Sequence, residues 1–262
     1  MDCHPIAHFM KKVFLISDNV AYNRMYEFLG QQTINRRLHM MGHPDLRITR
    51  RFVRMNEDEN RHTNSMRFVS HEGHLLYEQP AAYNTDTFNF SHINKMGNAH
   101  YAYDSLIQSP IDFTTANNVT VLHLQQILQS ALFPESVPRF KRWQLDREDY
   151  SFLYRFLSQY PSETDFPKYD SSVYFDSYVK FFFRNTEQRI PPYVRVFNKV
   201  GWAYGCMTDV SYIVDFKHRV EFMLTATICV NSDGVMNDDK YDYETLGIHF
   251  SISSANYSIS MN

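Results

Sequence analysis

The sequence predicts an α+β fold, a helical lobe packed on an antiparallel sheet, and three observations carry that prediction. Apolar residues recur at helical spacing through much of the first 190 positions. Beyond them the period changes to alternating or continuous β-branched runs. Those runs are joined by connections of a few residues, which antiparallel strands allow and parallel strands do not. At 262 residues and 31.1 kDa, 44% hydrophobic and 21% charged, the chain has the material for a packed core.

The elements follow in order. Val20 to Leu29 reads as a helix with Ser17 or Asp18 at its N-cap and Gly30 ending it. Thr33 to Met41 reads as a second helix, stopped by Gly42, and a polar loop follows to Asn64. Met66 to Val69 and Gly73 to Leu76 form a predicted hairpin, and Asn84 to His100 is an irregular connection. Val119 to Leu132 is helical until Pro134, with Leu122, Leu124, Ile127, Leu128 and Ala131 close to helical spacing. Asp146 to Leu157 repeats the pattern, Pro161 and Pro167 mark the loop after it, and Ser171 to Phe183 is predicted as a further, aromatic helix. Tyr193 to Asn198, Ala203 to Phe216 and Glu221 to Val230 read as strands, bounded by Lys217-His218-Arg219 and Asn231-Ser232-Asp233-Gly234.

Composition excludes several function classes. A net charge of -3 gives no electrostatic case for a nucleic-acid partner. No apolar run reaches transmembrane length, and His8 to Ile16 is too short and too charged for a signal peptide. The 21 Phe and 18 Tyr are read first as core, with a binding rim as the second reading. Cys3, Cys206 and Cys229 contain no CxxC and fit neither a disulfide scaffold nor a zinc site. Free thiols are the expectation for Cys206 and Cys229, a bridge being open to them only on adjacent strands. His71-Glu72-Gly73-His74 has its histidines three apart, not the four of a zincin helix, and Asn231 to Asp239 lacks the closing glutamate of a calcium loop. No metal or cofactor is expected.

Two triplets carry chemistry: Ser17-Asp18-Asn19, before a helix, and Lys199-Val200-Gly201, inside a long strand. Each is weak alone. Their order, and their setting on a helix-leading loop and a strand, match two of the three signatures of penicillin-recognising serine hydrolases. Around them stand Val20 to Gly30, Glu59-Asn-Arg-His-Thr-Asn64, Phe197 to Gly205, Leu224 to Ile228 and Asn237 to Tyr241. On these stretches the chain resembles the β-lactamase/transpeptidase-like (penicillin-binding-protein) fold, and more narrowly an uncharacterised bacterial branch of it.

The resemblance implies roles. Ser17 would relay a proton toward the leaving group, polarised by the Lys199 ammonium, and Lys199 would also meet a substrate carboxylate. Asn19 would offer its amide to the substrate. Gly201 and Trp202 would lie against the substrate, the Trp202 N–H forming half of an oxyanion hole. Asp18 would be structural. The implied partner is a peptide-like or cell-wall-derived substrate, and the implied setting is periplasmic or otherwise extracytoplasmic. Oligomeric state is left open.

The family's nucleophile lies in a Ser-x-x-Lys upstream of the first triplet, and none of residues 1–16 is a serine. The resemblance therefore implies an N-terminally truncated chain without the first strands and the nucleophile helix. On that reading, residues 1–262 form one partial domain. Residues 1–190 make the helical lobe with an irregular insertion near 66–117, 191–250 the strands, and 251–262 an atypical tail where a closing helix should follow Gly247 to Phe250. Val200 stands where a hydroxyl residue is usual. His43 to Arg54 contains no glutamate to activate a deacylating water, Asp45 is a poor substitute, and Glu57 is read as a solvated charge. The one Ser-x-x-Lys present, Ser177-Tyr-Val-Lys180, is read as helix surface. Two functions remain: a hydrolase acting by acyl transfer, inactive in this chain, and a catalytically inactive relative serving as a peptide- or glycan-binding module.

Overall fold

A computed structural model describes residues 6–184 and 190–243. Cys3 and the tail from Ser251 to Asn262, with the Gly247 to Phe250 stretch before it, lie outside the described residues. Contacts divide the chain into two units, residues 1–96 with 111–156, and residues 97–110 with 157–262.

The first unit opens on α1 (Ile6–Ile16), which the sequence reading did not identify as a helix, and α1 packs on α2 (Asn19–Leu29). Asp18 is the N-cap of α2, its carboxylate accepting from the Ala21 N–H at 2.7 Å. Gly30, at φ 77°, closes α2 by donating to the Tyr26 carbonyl at 2.8 Å. α3 (Gln31–Met40) follows directly. The stretch expected to be loop contains α4 (Glu57–Arg61), nucleated by an Asn56/Glu59 capping box. The hairpin is β1 (Met66–Val69) with β2 (Leu75–Gln79), the second strand lying later than the predicted Gly73 to Leu76. α5 (Val121–Leu132) is capped by the Thr120 hydroxyl on the His123 N–H, and α6 (Arg147–Ser158) by Asp146, which accepts from Glu148 and Asp149. Leu15, Ala21, Tyr26, Met41, Leu46 and Leu132 are its most deeply buried apolar side chains.

The second unit is built on the predicted meander. β3 (Ala99–Ala102) and β4 (Ser105–Ile107) make a small hairpin with Val235–Met236 running parallel to β3. β5 (Val194–Ala203), β6 (Cys206–Asp215) and β7 (Val220–Cys229) form an antiparallel sheet in the order β7-β6-β5. β5 runs on through the Lys199 triplet, and its two-residue turn at Tyr204-Gly205 places both residues at positive φ, 53° and 79°. This is the backbone that a tight hairpin with the strands' own twist requires. Gly205 has a second constraint: a Cβ there would lie 2.7 Å from the Asn231 side chain. The alternating residues Val194, Val196 and Val200 of β5, with Met207 and Ile213 of β6, pack on Tyr160, Val179, Phe181 and Phe182 to make the core.

The predicted helix from Ser171 to Phe183 is not formed. The segment is a series of turns ending in one 3-10 turn, Phe181–Phe183. Apart from Tyr174 N–H to Asp170, its bonds span three residues, among them Tyr178 N–H to Phe175, Lys180 N–H to Ser177 and Phe183 N–H to Lys180. The Phe181 N–H, which an α-helix would give to Ser177, goes instead to the Asp209 carboxylate at 3.0 Å. A tertiary acceptor outcompetes the helical one, and the aromatic pattern that suggested a helix is the apolar side of a folded loop.

Candidate functional site

In the first unit, Ser17 occupies the single turn between α1 and α2 at φ 55°, a left-handed conformation that costs a non-glycine residue roughly 1 kcal/mol. Ser17 is half-buried and Asn19, the first residue of α2, is exposed. The turn is fixed by Asp18. Besides capping α2, its carboxylate meets the Lys12 ammonium of α1 at 2.7 Å. Burial pushes the Asp18 carboxyl up, but the Lys12 ammonium and the Ala21 N–H outweigh it and hold the group below the usual carboxylate range. Asp18 is thus a clamp between two helices, with the Ser17 hydroxyl on the turn it clamps.

The polar stretch after α3 is pinned, not loose. Glu27 of α2 accepts from the Arg51 guanidinium and from the Asn64 N–H, and Arg51 lies over the Tyr26 ring at 4.6 Å. Tyr26 donates to the Asn60 carbonyl at 3.0 Å, and the Asn60 amide oxygen accepts from the Arg51 N–H at 2.8 Å. From α3, Gln31 donates to the Thr49 carbonyl at 2.6 Å, and Asn35 makes paired bonds with the Ile48 backbone, each 2.8 Å. None of these residues was given a role from sequence, although Tyr26, Glu27, Asn60 and Asn64 lie in stretches that carry the resemblance. The signal was present: Glu27, Gln31 and Asn35 recur every four positions, and a polar stripe at that spacing on a buried face must be satisfied by something.

The carboxylates of this stretch are already committed or exposed. Glu57 pairs with Arg61 at 3.1 Å with its side chain 61% exposed, Glu59 returns to the Asn56 N–H in the capping box, and Asp45 is exposed.

In the second unit, Lys199 and Gly201 fall on one face of β5, while Asn198 and Val200 fall on the buried one. Lys199 is half-buried, donates to the Val200 carbonyl at 2.6 Å, and is drawn down to about 8 by burial, which the Asp209 charge opposes. Gly201 has open space where a Cβ would stand, with no atom within 4 Å, so nothing inside its own unit demands a glycine there. Trp202 is 36% exposed, edge-on to Tyr178 at 5.9 Å and tilted over Phe181 at 5.2 Å. Val200 is 5% exposed and belongs to the apolar core that also holds Met207.

Beneath the triplet lies a polar cluster that sequence reading missed. The Lys180 ammonium, fully buried, donates to the Leu157 carbonyl (2.7 Å), the Val196 carbonyl (2.9 Å) and Asn198 Oδ1 (2.7 Å). Asn198 Nδ2 donates to Asp209 Oδ1 at 2.9 Å and to the Val179 carbonyl at 2.8 Å. Asp209, also fully buried, accepts further from Ser211 Oγ at 2.7 Å and from the Phe181 N–H. Burial pulls Lys180 down to about 7 and pushes Asp209 up to about 6, each partly offset by the other's charge.

That cluster corrects the reading of Ser177-Tyr-Val-Lys180 as helix surface. Ser177 and Lys180 are both 0% exposed, and all three ammonium hydrogens of Lys180 are spoken for, so neither is placed to do chemistry on a substrate. The free-thiol expectation is likewise overturned: Cys206 and Cys229 stand directly opposite on β6 and β7 and form a disulfide. Among the described residues, no group of three or more potential ligands is placed to hold a metal ion.

Residues 4–80 match the family described as the beta-lactamase enzyme family, Beta-lactamase2, a span that includes Ser17, Asp18, Asn19 and the stretch to Asn64. The mixed helices and antiparallel sheets above agree with that match. No curated protein matches the chain.

Proposed function

We propose, on the match of residues 4–80 to the beta-lactamase enzyme family, that the chain is a β-lactamase-like relative of the serine hydrolases and engages a peptide-like or cell-wall-derived acyl substrate. Ser17, Asn19 and Lys199 are its chemical groups. The observation that carries the reading is the turn Ser17-Asp18-Asn19. It lies inside the matched span, is clamped by Lys12 and the α2 N-terminus, and holds a serine in a strained conformation. In this reading Ser17 passes a proton and Asn19 donates its amide to the substrate. Lys199 supplies positive charge for a terminal carboxylate, and the Trp202 N–H with the open backbone at Gly201 receives the substrate chain.

No serine of the chain is assigned as nucleophile. Ser177 is sealed in the core, and Ser17 has the relay role. The expected activity of these 262 residues is binding without turnover. One observation favours that second, binding-module side of the reading: Glu57 pairs with Arg61, Glu59 closes the α4 capping box, and Asp45 and Asp58 are exposed, so none of these carboxylates sits in a buried position suited to activating a water.

A setting outside the cytoplasm is part of the proposal and is supported by the Cys206–Cys229 disulfide, which oxidising compartments preserve. Among the described residues no helix is long and apolar enough to cross a membrane.

The test pairs two measurements on the whole chain. Fluorescent penicillin and a fluorophosphonate should leave no covalent adduct by mass spectrometry. An acylated dipeptide with a free carboxylate should bind, and Lys199→Ala should weaken it about 10- to 100-fold, the worth of one charge-assisted hydrogen bond. An adduct on Ser17 or Ser177, or peptide binding indifferent to Lys199, would overturn the reading.

A further inference from the structure

We propose that His43 and His123 form an acid-sensitive latch: the neutral His43 ring, seated on His123, holds the loop after α3 against the first turn of α5, and protonation of His43 releases it. The inference concerns the first unit alone and does not depend on the acyl-substrate reading.

The two rings meet edge to face, with centroids 4.9 Å apart and planes at 75°, a packing that suits uncharged aromatic rings. His43 is 1% exposed and His123 is half-buried. Nδ1 of each is closed off from solvent and has no hydrogen-bond partner. A neutral His43 tolerates this, because with its proton on Nε2 the Nδ1 atom is a bare lone pair. A charged His43 does not. It carries an N–H at Nδ1, buried with nothing to accept it.

The surrounding charges act in the same direction. His43 is faced by His123 from α5 and by Lys141 from the Arg139–Lys141 turn, and each opposes a positive charge on it. The Lys141 side chain lies along this loop, its Cε 3.3 Å from where a Cβ on Gly42 would stand. On the loop's own side, His39 is engaged with the Leu46 carbonyl at 2.9 Å, and Asp45 is exposed. Burial first, then His123 and Lys141, hold the His43 ring below its ordinary 6.5.

The latch closes one end of a seam. The Arg47 N–H donates to the Asn118 carbonyl at 2.9 Å, and the Asn118 N–H returns to the Arg47 carbonyl at 2.8 Å. Further along, the Thr49 N–H donates to Asn117 Oδ1 at 2.7 Å. The loop side of this seam runs on from His43, and the other side leads into α5 and His123. As pH falls below about 6.5, an opened His43 takes up the proton that the closed one refuses, so the seam opens more often.

Amide hydrogen exchange, followed by NMR on the whole chain, reads the seam directly. Corrected for the intrinsic pH dependence of exchange, protection of the Arg47, Thr49 and Asn118 N–H groups should fall roughly tenfold between about pH 7 and pH 5. The Gly30 N–H, which closes α2, should keep its protection. His43→Phe leaves an aromatic ring against His123 that cannot take a charge, so there the fall should vanish. No fall in the wild type, a fall that persists in His43→Phe, or an equal fall at Gly30 overturns the proposal. Should His43→Phe fail to fold, the wild type carries the test through the His43 ring signals. Their midpoint should lie below 6.5 and coincide with the loss of Arg47 protection, and a midpoint at or above 6.5, or out of step with that loss, overturns it.

Discussion

Replacing Asp209 by asparagine leaves the Lys180 ammonium in a dry core with no counter-charge, and such stranded charges cost about 3–5 kcal/mol. Chemical denaturation should show a loss of that size. Lys180→Met/Asp209→Asn should cost clearly less than the two single changes added, because it removes both charges together. The same pair sets a pH signature. Asp209 holds its proton more tightly folded, at about 6, than at its ordinary 3.8, so its contribution to stability falls as pH rises from about 4 to 6. Lys180 loses its proton more readily folded, at about 7, than at its ordinary 10.5, so stability returns as pH rises from about 7 to 10. The wild type minus the double variant should trace a valley with its floor between pH 6 and 7. None of this was legible from sequence, because a buried lysine beside a Ser-x-x-Lys pattern looks like any surface lysine until its three acceptors are known. Asp18 was legible, since an aspartate ahead of a helical apolar pattern has one common use. Asp18→Ala should lower stability by about 1 kcal/mol in thermal unfolding.

At the scale of elements, β5, β6 and β7 came through from sequence because β-branched alternation and short turns leave few other readings. Their covalent tie did not. Cys206 and Cys229 are 23 residues apart, and only the register of the β6–β7 pair, Cys206 opposite Cys229, decides that they bond. Closing a loop of that length contributes about 2–4 kcal/mol through the unfolded chain. The Cys206→Ser/Cys229→Ser variant, or the wild type in excess dithiothreitol, should lose stability in that range. An unchanged midpoint in denaturant would mean the thiols are free in solution. The failed helix at Ser171 to Phe183 has the opposite origin. Its periodicity was genuine, but the Phe181 N–H is claimed by Asp209 from another element, which no local pattern encodes. α4 was missed although its capping box, Asn56 to Glu59, was on the page as sequence.

For the molecule as a whole, the two triplets belong to different units: Ser17 to the one that holds the matched span, Lys199 to the one built on the meander. The acyl-substrate reading makes them act on one ligand, and that requirement is energetic and measurable. Ser17→Gly is the suitable change, because it removes the hydroxyl while glycine accepts the turn's φ of 55° without strain. Lys199→Ala removes the ammonium. If both groups serve the same bound peptide, the loss of affinity in the double variant should differ from the sum of the single losses by at least about 1 kcal/mol. Two groups acting on separate ligands would give additive losses, within about 0.5 kcal/mol. Calorimetry with the acylated dipeptide on the four proteins closes the cycle. Additivity would detach Lys199 from the serine-hydrolase assignment and leave the first unit's match standing by itself.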